Sequence, residues 1–259
     1  MQASINVVPQ GTVLNMLGDA GQRVSAMILN VPPDHPLSKP LANFAARMTD
    51  YVGVTNVANG QYQVGARNDA LRAAVANVGV GKAFVDLASA GQKERRSVAA
   101  ATATALEVAP ATAATAPGRA RTVAHWDGAD MATKQTMINE LPVDGLAALI
   151  EAGVDREPGL SPRDAERLRE RYMVEQHIAR TGLQADHMLA ADHTDPLRTG
   201  PNVEAARNAA RAAVRTLKDR SETISTVSET MRNIVSMIAL AGDVHEPQAY
   251  KLLTTGAIA

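Results

Sequence analysis

The chain contains no cysteine. Disulfides, thiolate nucleophiles and cysteine-ligated zinc are therefore excluded. Aromatic residues are scarce, with 2 Phe, 1 Trp and 4 Tyr among 259 residues. Such side chains normally supply a large share of buried area. A core without them must be thin and aliphatic, built in layers between helices, and such a chain is expected to gain stability by packing against other subunits. No apolar run approaches the ~18 residues of a membrane-spanning helix. The longest candidates, at residues 27–31 and 234–241, are far shorter. The opening stretch MQASINVVPQG has no basic segment followed by an apolar one, so no secretory signal is expected.

What is abundant is alanine, at 48 residues. Alanine is the best helix former, and its small side chain lets helices approach closely. The length suits one large domain or two smaller ones. Net charge is −1, which gives little support for general nucleic-acid binding. The charge is nevertheless uneven: residues 1–121 carry a net +4, residues 122–200 a net −6 and residues 201–259 a net +1.

Residues 4–8, 12–17 and 23–31 alternate or read as strands, with Gly18 and Gly21 between the last two. They predict a small β-ribbon or extended arm. The run VPPDHP at 31–36 is a hard stop. Residues 41–52 then read as a helix, with Leu41, Phe44, Ala45 and Met48 on one face. The glycine-containing stretch 53–65 reads as turn-rich, with a short hairpin around Asn59-Gly60. Helices are expected at 66–78 and 83–108, the second interrupted near Gly91. The Ala/Thr/Pro-rich segment 109–121 is the best linker in the chain, so the expected division is 1–108, a linker at 109–121, and a helical bundle at 122–259. Within the last part, helices are expected at 130–140 and 143–152, with Gly153 as a stop. Another begins at Ser161, a capping residue followed by Pro162 and Asp164, and ends at Gly182.

The strongest pattern lies at 202–242, a stretch with no proline, aromatic residue or internal glycine. Val203, Ala210, Leu217, Ile224, Met231 and Ile238 recur every seven residues. Ala206, Ala213, Arg220, Val227, Ile234 and Ala241 form the companion series, in which only Arg220 is polar. Repetition over more than five heptads predicts one long helix with a packing seam. Its flanking positions, including Thr216, Thr223 and Ser228, are small rather than oppositely charged. The buried face is therefore wider than a two-stranded zipper needs, which favours a bundle. The seam at Val203, Ala210, Leu217, Ile224, Val227, Met231, Ile234 and Ile238 serves either the chain's own core or an interface between subunits. A second stripe, Arg207, Arg211, Arg215 and Lys218, either contacts phosphates or anionic lipid or is a solvated face paired with the acids of 122–200. The arginines of RLRER at 167–171 sit beside Glu166 and Glu170, at spacings that suit intrahelical ion pairs.

Catalytic motifs are few. Gly79-Val80-Gly81-Lys82 lacks the earlier glycine of a phosphate-binding loop, and Ala83 stands where a magnesium-binding hydroxyl is needed, so a turn between helices is expected. The group Asp186, His187, Asp192, His193 and Asp195 mixes carboxylates and imidazoles that suit a divalent metal. Its spacing matches no standard ligand set, and loop capping is the competing reading. His125-Trp126-Asp127 reads as a packing anchor.

The fold expected is mainly α: an Ala-rich helical bundle with a long heptad-patterned C-terminal helix and a small extended or β N-terminal arm. A cysteine-free, Ala-rich helical chain with an extended N-terminus and a Pro/Ala/Thr segment resembles the components of phage particles, especially internal or ejected proteins and tail-hub parts. That resemblance implies a non-enzymatic structural protein located in the virion. It would associate with itself or with other proteins of a large assembly, without cofactor, metal or catalytic residue. The alternatives are a part of a bacterial secretion machine or other helical scaffold, and a small metal-dependent enzyme around His187, His193 and Asp195.

Overall fold

Period-two alternation at the N-terminus folds as expected. The computed structural model, which describes residues 1–191, 193–195 and 197–257, has strands β1 (Gln2–Val8), β2 (Gly11–Leu17) and β3 (Arg23–Leu29) in an antiparallel meander of that order. A two-residue turn at Pro9 and Gln10 joins β1 to β2, closing on the pair Val8 and Gly11. Ile5 pairs with Leu14, and Leu14 with Ala26. Ala3, Ile5 and Val7 therefore share a sheet face with Leu14, Met16, Ala26 and Ile28. The last four are buried.

Ten α-helices follow among the described residues: α1 (Ser38–Gln61), α2 (Val64–Asn77), α3 (Val80–Leu106), α4 (Ala116–Gly128), α5 (Met131–Glu140), α6 (Val143–Glu151), α7 (Pro162–Thr181), α8 (Leu183–Asp186), α9 (Val203–Gly242) and α10 (Glu246–Thr255). The mainly α architecture, the long helix at 203–242 and the small N-terminal sheet are as the sequence predicts. Gly153 and Gly182 both adopt the left-handed conformation, at φ 76° and 67°, which stops helices without the steric cost of a Cβ. Ser161 accepts a hydrogen bond from the Asp164 amide at 3.1 Å, as its capping position requires.

Two expectations fail locally. The turn-rich reading of 53–65 is wrong, because α1 runs through Gly53, Asn59 and Gly60 to Gln61. Each glycine costs a helix about 1 kcal/mol relative to alanine. Burial outweighs this: Met48, Tyr51, Val52, Thr55 and Ala58 continue one buried stripe beneath the sheet. The interruption near Gly91 is likewise absent, since α3 is continuous across it.

The chain forms two compact units, residues 1–97 with 221–259, and residues 98–220. They part within α3 and within α9, whereas composition placed the boundary at 109–121. Residues 107–112 do lack regular structure. Residues 116–121, however, belong to α4. There Arg119 is buried and donates to the Ala109 carbonyl (2.9 Å), Glu151 (3.0 Å) and Asp144 (3.4 Å). A low-complexity composition hides this single anchoring cation.

In the first unit the sheet face packs with Leu41, Phe44 and Met48 of α1, Leu71 and Val75 of α2, Phe84 and Leu87 of α3, Val227, Ile234, Met237 and Ile238 of α9, and Leu252 and Leu253 of α10. Both phenylalanines lie here, with ring centroids 6.2 Å apart. At one end, Asp19 of the β2–β3 turn accepts from Arg67 at 2.5 Å and pairs with the Met1 amino group. The Arg67 hydrogen bond, aided by the amino group, holds the Asp19 carboxyl down at about 2. In the second unit, Trp126, Ile138, Leu146, Leu149, Leu168 and Tyr172 form the core. The Trp126 indole N–H donates to Glu157 at 3.2 Å. The Tyr172 hydroxyl donates to the Glu107 carbonyl at 2.9 Å.

Two predictions follow from these cores. Ile234 is fully buried, so Ile234→Ala should lower unfolding free energy by about 2–5 kcal/mol, measured by urea denaturation. The Asp19 carboxyl is depressed in the folded state, so its contribution is complete above the ordinary carboxylate range and lost as pH falls to about 2. Asp19→Asn should therefore lower the melting temperature at neutral pH. The gap should close between about pH 4 and pH 2; a gap independent of pH would contradict the ion-pair assignment.

Candidate functional site

α9 carries both sequence-predicted features, the apolar seam and the basic stripe. Ala210 packs with Val214 and with Val174 and Ile178 of α7. Val227, Ile234 and Ile238 enter the first unit's core, and Met231 packs against it. Ile224 is buried, Leu217 half-buried, and Val203 is 40% exposed at the helix start. Most of the seam is thus filled by the chain's own side chains.

The basic stripe is partly paired with acids of α7. Arg207 Nε donates to Glu175 at 3.0 Å, and Lys218 Nζ to Glu166 at 2.5 Å. Lys218 holds the Glu166 carboxyl below its ordinary range through that hydrogen bond and its charge. Arg211 donates to Asn208 at 3.1 Å and lies 3.7 Å from Glu204. The Glu175–Arg207 and Glu166–Lys218 pairs require α7 and this part of α9 to run antiparallel. They also fix the register of the two helices.

Between those two pairs, α7 carries Arg167 and Arg171, and α9 carries Arg211 and Arg215. Arg167, Arg171, Arg207 and Arg211 line one cleft of about 450 Å³ together with Glu170, Glu175 and side chains of α5. The two guanidiniums on α7 bond mainly to neutral acceptors. Arg167 donates to the Asn139 carboxamide oxygen at 2.6 Å, with Asp164 a further 3.7 Å contact. Arg171 donates to the backbone oxygens of Ile138 and Leu141, the latter at 2.7 Å, and so covers half-buried carbonyls at the end of α5. Burial pushes the Arg171 guanidinium down in pKa; Arg207's charge adds to that shift and Glu175's opposes it. The expected intrahelical pairing of RLRER is largely replaced. Glu166 turns to Lys218, and Arg169 pairs with Asp155 at 2.9 Å. Only contacts between helices bring Arg171 to Arg207, so spacing along one helix could not reveal this cleft. The four-residue spacing of Arg167 and Arg171, matched by Arg207 and Arg211, was the available signal.

The remaining histidine-containing group is dispersed. His187 caps α8, and its carbonyl accepts from the Asn202 amide at 2.6 Å. His193 and Asp195 lie in the exposed loop after it, and Asp195 accepts from the Leu197 amide at 3.3 Å. Asp192 lies outside the described residues. Among the described residues, no three His, Asp or Glu side chains gather in a way that could hold a metal ion. The turn expected at Gly79 is present between α2 and α3.

The outer edge of β1 is the other distinctive surface. Ala3 donates its amide to Asn56 Oδ1 (3.3 Å), and its carbonyl accepts from Asn56 Nδ2 (3.1 Å). The Asn59 carboxamide covers the Met1 carbonyl at 2.6 Å. Ala3 points its peptide groups away from β2, and so do Ile5 and Val7, two and four residues on. Val7 is 82% exposed. The opposite edge, β3, is covered at Met27, whose carbonyl accepts from the Thr230 hydroxyl at 2.6 Å.

Among the described residues, no single helix is long and apolar enough to cross a membrane. α2 and α3 together reach that length, but they are bent by 52° and bury Leu71, Val75, Phe84 and Leu87 in the first unit's core. No protein-family model matches the chain, and neither the curated proteins nor the solved structures provide a match.

Arg171→Met should cost about 1–3 kcal/mol, because two half-buried carbonyls lose a charged donor. Chemical denaturation of the variant measures this directly.

Proposed function

We propose that this protein is a non-enzymatic assembly protein that associates with copies of itself, in the manner of the helical components of phage particles. The observation that carries the reading is the unprotected outer edge of β1. Edge strands are usually blunted by lysine, proline, a bulge or a covering element, since their free peptide groups template pairing with another chain. The strand QASINVV has neither charge nor proline. Asn56 covers it only at Ala3, and Val7 projects an apolar side chain into solvent.

The occupant that fits is a second β1, antiparallel, about a twofold axis through Asn6. Ile5 would pair with Val7 of the other copy and Val7 with its Ile5, so the outward peptide groups of both residues are satisfied without disturbing Ala3. Directly paired residues project to the same sheet face. Val7 would then lie against Ile5 of the other copy, on the side that already faces the core. A twofold contact is self-complementary, so it needs no partner beyond the chain itself. Seam residues on α9 are largely occupied within the chain, which moves the expected contact from the long helix to the N-terminal sheet.

Light scattering coupled to size exclusion tests this. The 27.3 kDa chain should elute as a dimer or higher discrete oligomer at both low and high salt. Val7→Lys should dissociate it while leaving the melting temperature of the isolated chain nearly unchanged. A wild-type monomer, or an oligomer indifferent to Val7→Lys, would sink the proposal. Capsid and portal genes beside this one would support the virion setting.

A further inference from the structure

A trench of about 250 Å³ runs between α3 and α9 in the first unit. Phe84, Ala88, Gly91 and Arg95 line it from α3, and their spacing places them on one face of that helix. Ile224, Ser228, Met231, Arg232 and Val235 line it from α9. Its two ends differ. At one, Arg95 reaches across to donate to the Ser228 hydroxyl at 2.7 Å. At the other, Phe84 meets the ring of Tyr250 edge-on, with centroids 6.1 Å apart. Tyr250 lies on α10, which Glu246 ties to Ser236, beyond Val235 on α9. The rise along α3 from Phe84 to Arg95 is roughly 16 Å.

The trench therefore grades from a cationic end to an aromatic one. Between them Met231 and Val235 are half-buried and pack against the core. Arg232 stands one helical turn beyond Ser228. Among the described residues, neither Arg95 nor Arg232 forms an ion pair, and no carboxylate lines the trench. The acids nearest to them in sequence, Glu94 and Glu229, lie outside the lining. Gly91, in the middle of the α3 face, has nothing within 4 Å of where a Cβ would stand. Glycine is a poor residue for a helix interior, and no described neighbour requires it there. Its missing side chain keeps the trench open.

We propose that this trench binds a single-chain anionic amphiphile of the fatty-acid class. The carboxylate lies at Arg95, with Arg232 beside it, and the alkyl chain runs along Met231 and Val235 toward Phe84 and Tyr250. Burial of its methylenes supplies the affinity, and the charge-assisted hydrogen bonds set its direction. A docked helix, about 10 Å across with its side chains, needs a groove open at both ends. Tyr250 and the Arg95–Ser228 bond stand at the two ends of this one. The volume is also below that of the usual pocket for a compact ligand, which leaves room for one chain. This inference is independent of the pairing through β1.

Calorimetric titration of the full chain with dodecanoate, kept below its micelle-forming concentration, tests it. Saturable binding is expected, tighter than for hexanoate, which buries fewer methylenes, and tighter than for uncharged dodecanol. Arg95→Gln should weaken dodecanoate about fivefold, the upper range for an exposed charge pair, and leave dodecanol unchanged. Gly91→Leu should abolish binding while melting at or above the wild-type temperature, since leucine favours the helix and finds open space there. Val7→Lys, at the β1 edge, should bind as wild type does. Absence of saturable dodecanoate binding overturns the proposal. So does equal affinity for dodecanoate and dodecanol, or unchanged affinity in Gly91→Leu. A fall in oligomer mass on Gly91→Leu, without dodecanoate binding to wild type, would assign the trench to a second copy and overturn it too.

Discussion

Burial of one face of α9 is the constraint on which the rest of this protein depends. Forty residues form a single helix, and its apolar positions enter the first unit's core and, in the second unit, a smaller cluster against α7. Ala206, Ala210 and Val214 are buried in the second unit, and Val227, Ile234, Met237 and Ile238 in the first. Each fully buried aliphatic side chain contributes roughly 1.5–3 kcal/mol. The alanines at the start of the row let α7 approach closely, which sets the distance across which Glu175 and Glu166 reach Arg207 and Lys218.

That approach has an electrostatic consequence. Two antiparallel helices with opposite charges at the ends of their contact are held in one register. The residues between are then forced to face each other whatever their sign. Arg167 and Arg171 meet Arg211 for this reason. The arginines are tolerated because α5 ends beneath them and offers Asn139 and the carbonyls of Ile138 and Leu141. A helix terminus needs donors, and Arg171 supplies them. The same arrangement thus closes α5 with a donor from α7.

The sheet follows a different logic. Its inner face is closed by α1, and Asn56 and Asn59 of that helix bond to the first residues of β1. These side chains lie on the part of α1 that the glycines Gly53 and Gly60 suggested should be a turn. The helix persists there because Val52, Thr55 and Ala58 are buried beneath the strands. Continuing the helix places two carboxamides at the sheet edge. Among the described residues, no such carboxamide bonds to the edge beyond Ala3, and Val7 stands exposed where Ile5 is half-buried.

Periodicity alone determined the elements whose signal is local. The three strands, the cap at Ser161, the stops at Gly153 and Gly182 and the long helix from Val203 could all be read residue by residue, because each depends on backbone geometry within a few positions. Tertiary structure decided what depends on partners distant in the chain. Whether the α9 seam was private or shared turned on Leu41, Phe44 and Val174, which lie far away in sequence. The linker at 109–121 was shortened by Arg119, whose acceptors are Glu151 and Asp144. The arginine cleft exists only because two helices cross sides with their acidic ends paired. Burial and charge pairing act through space, so a one-dimensional pattern can name the participants without naming which of them meet.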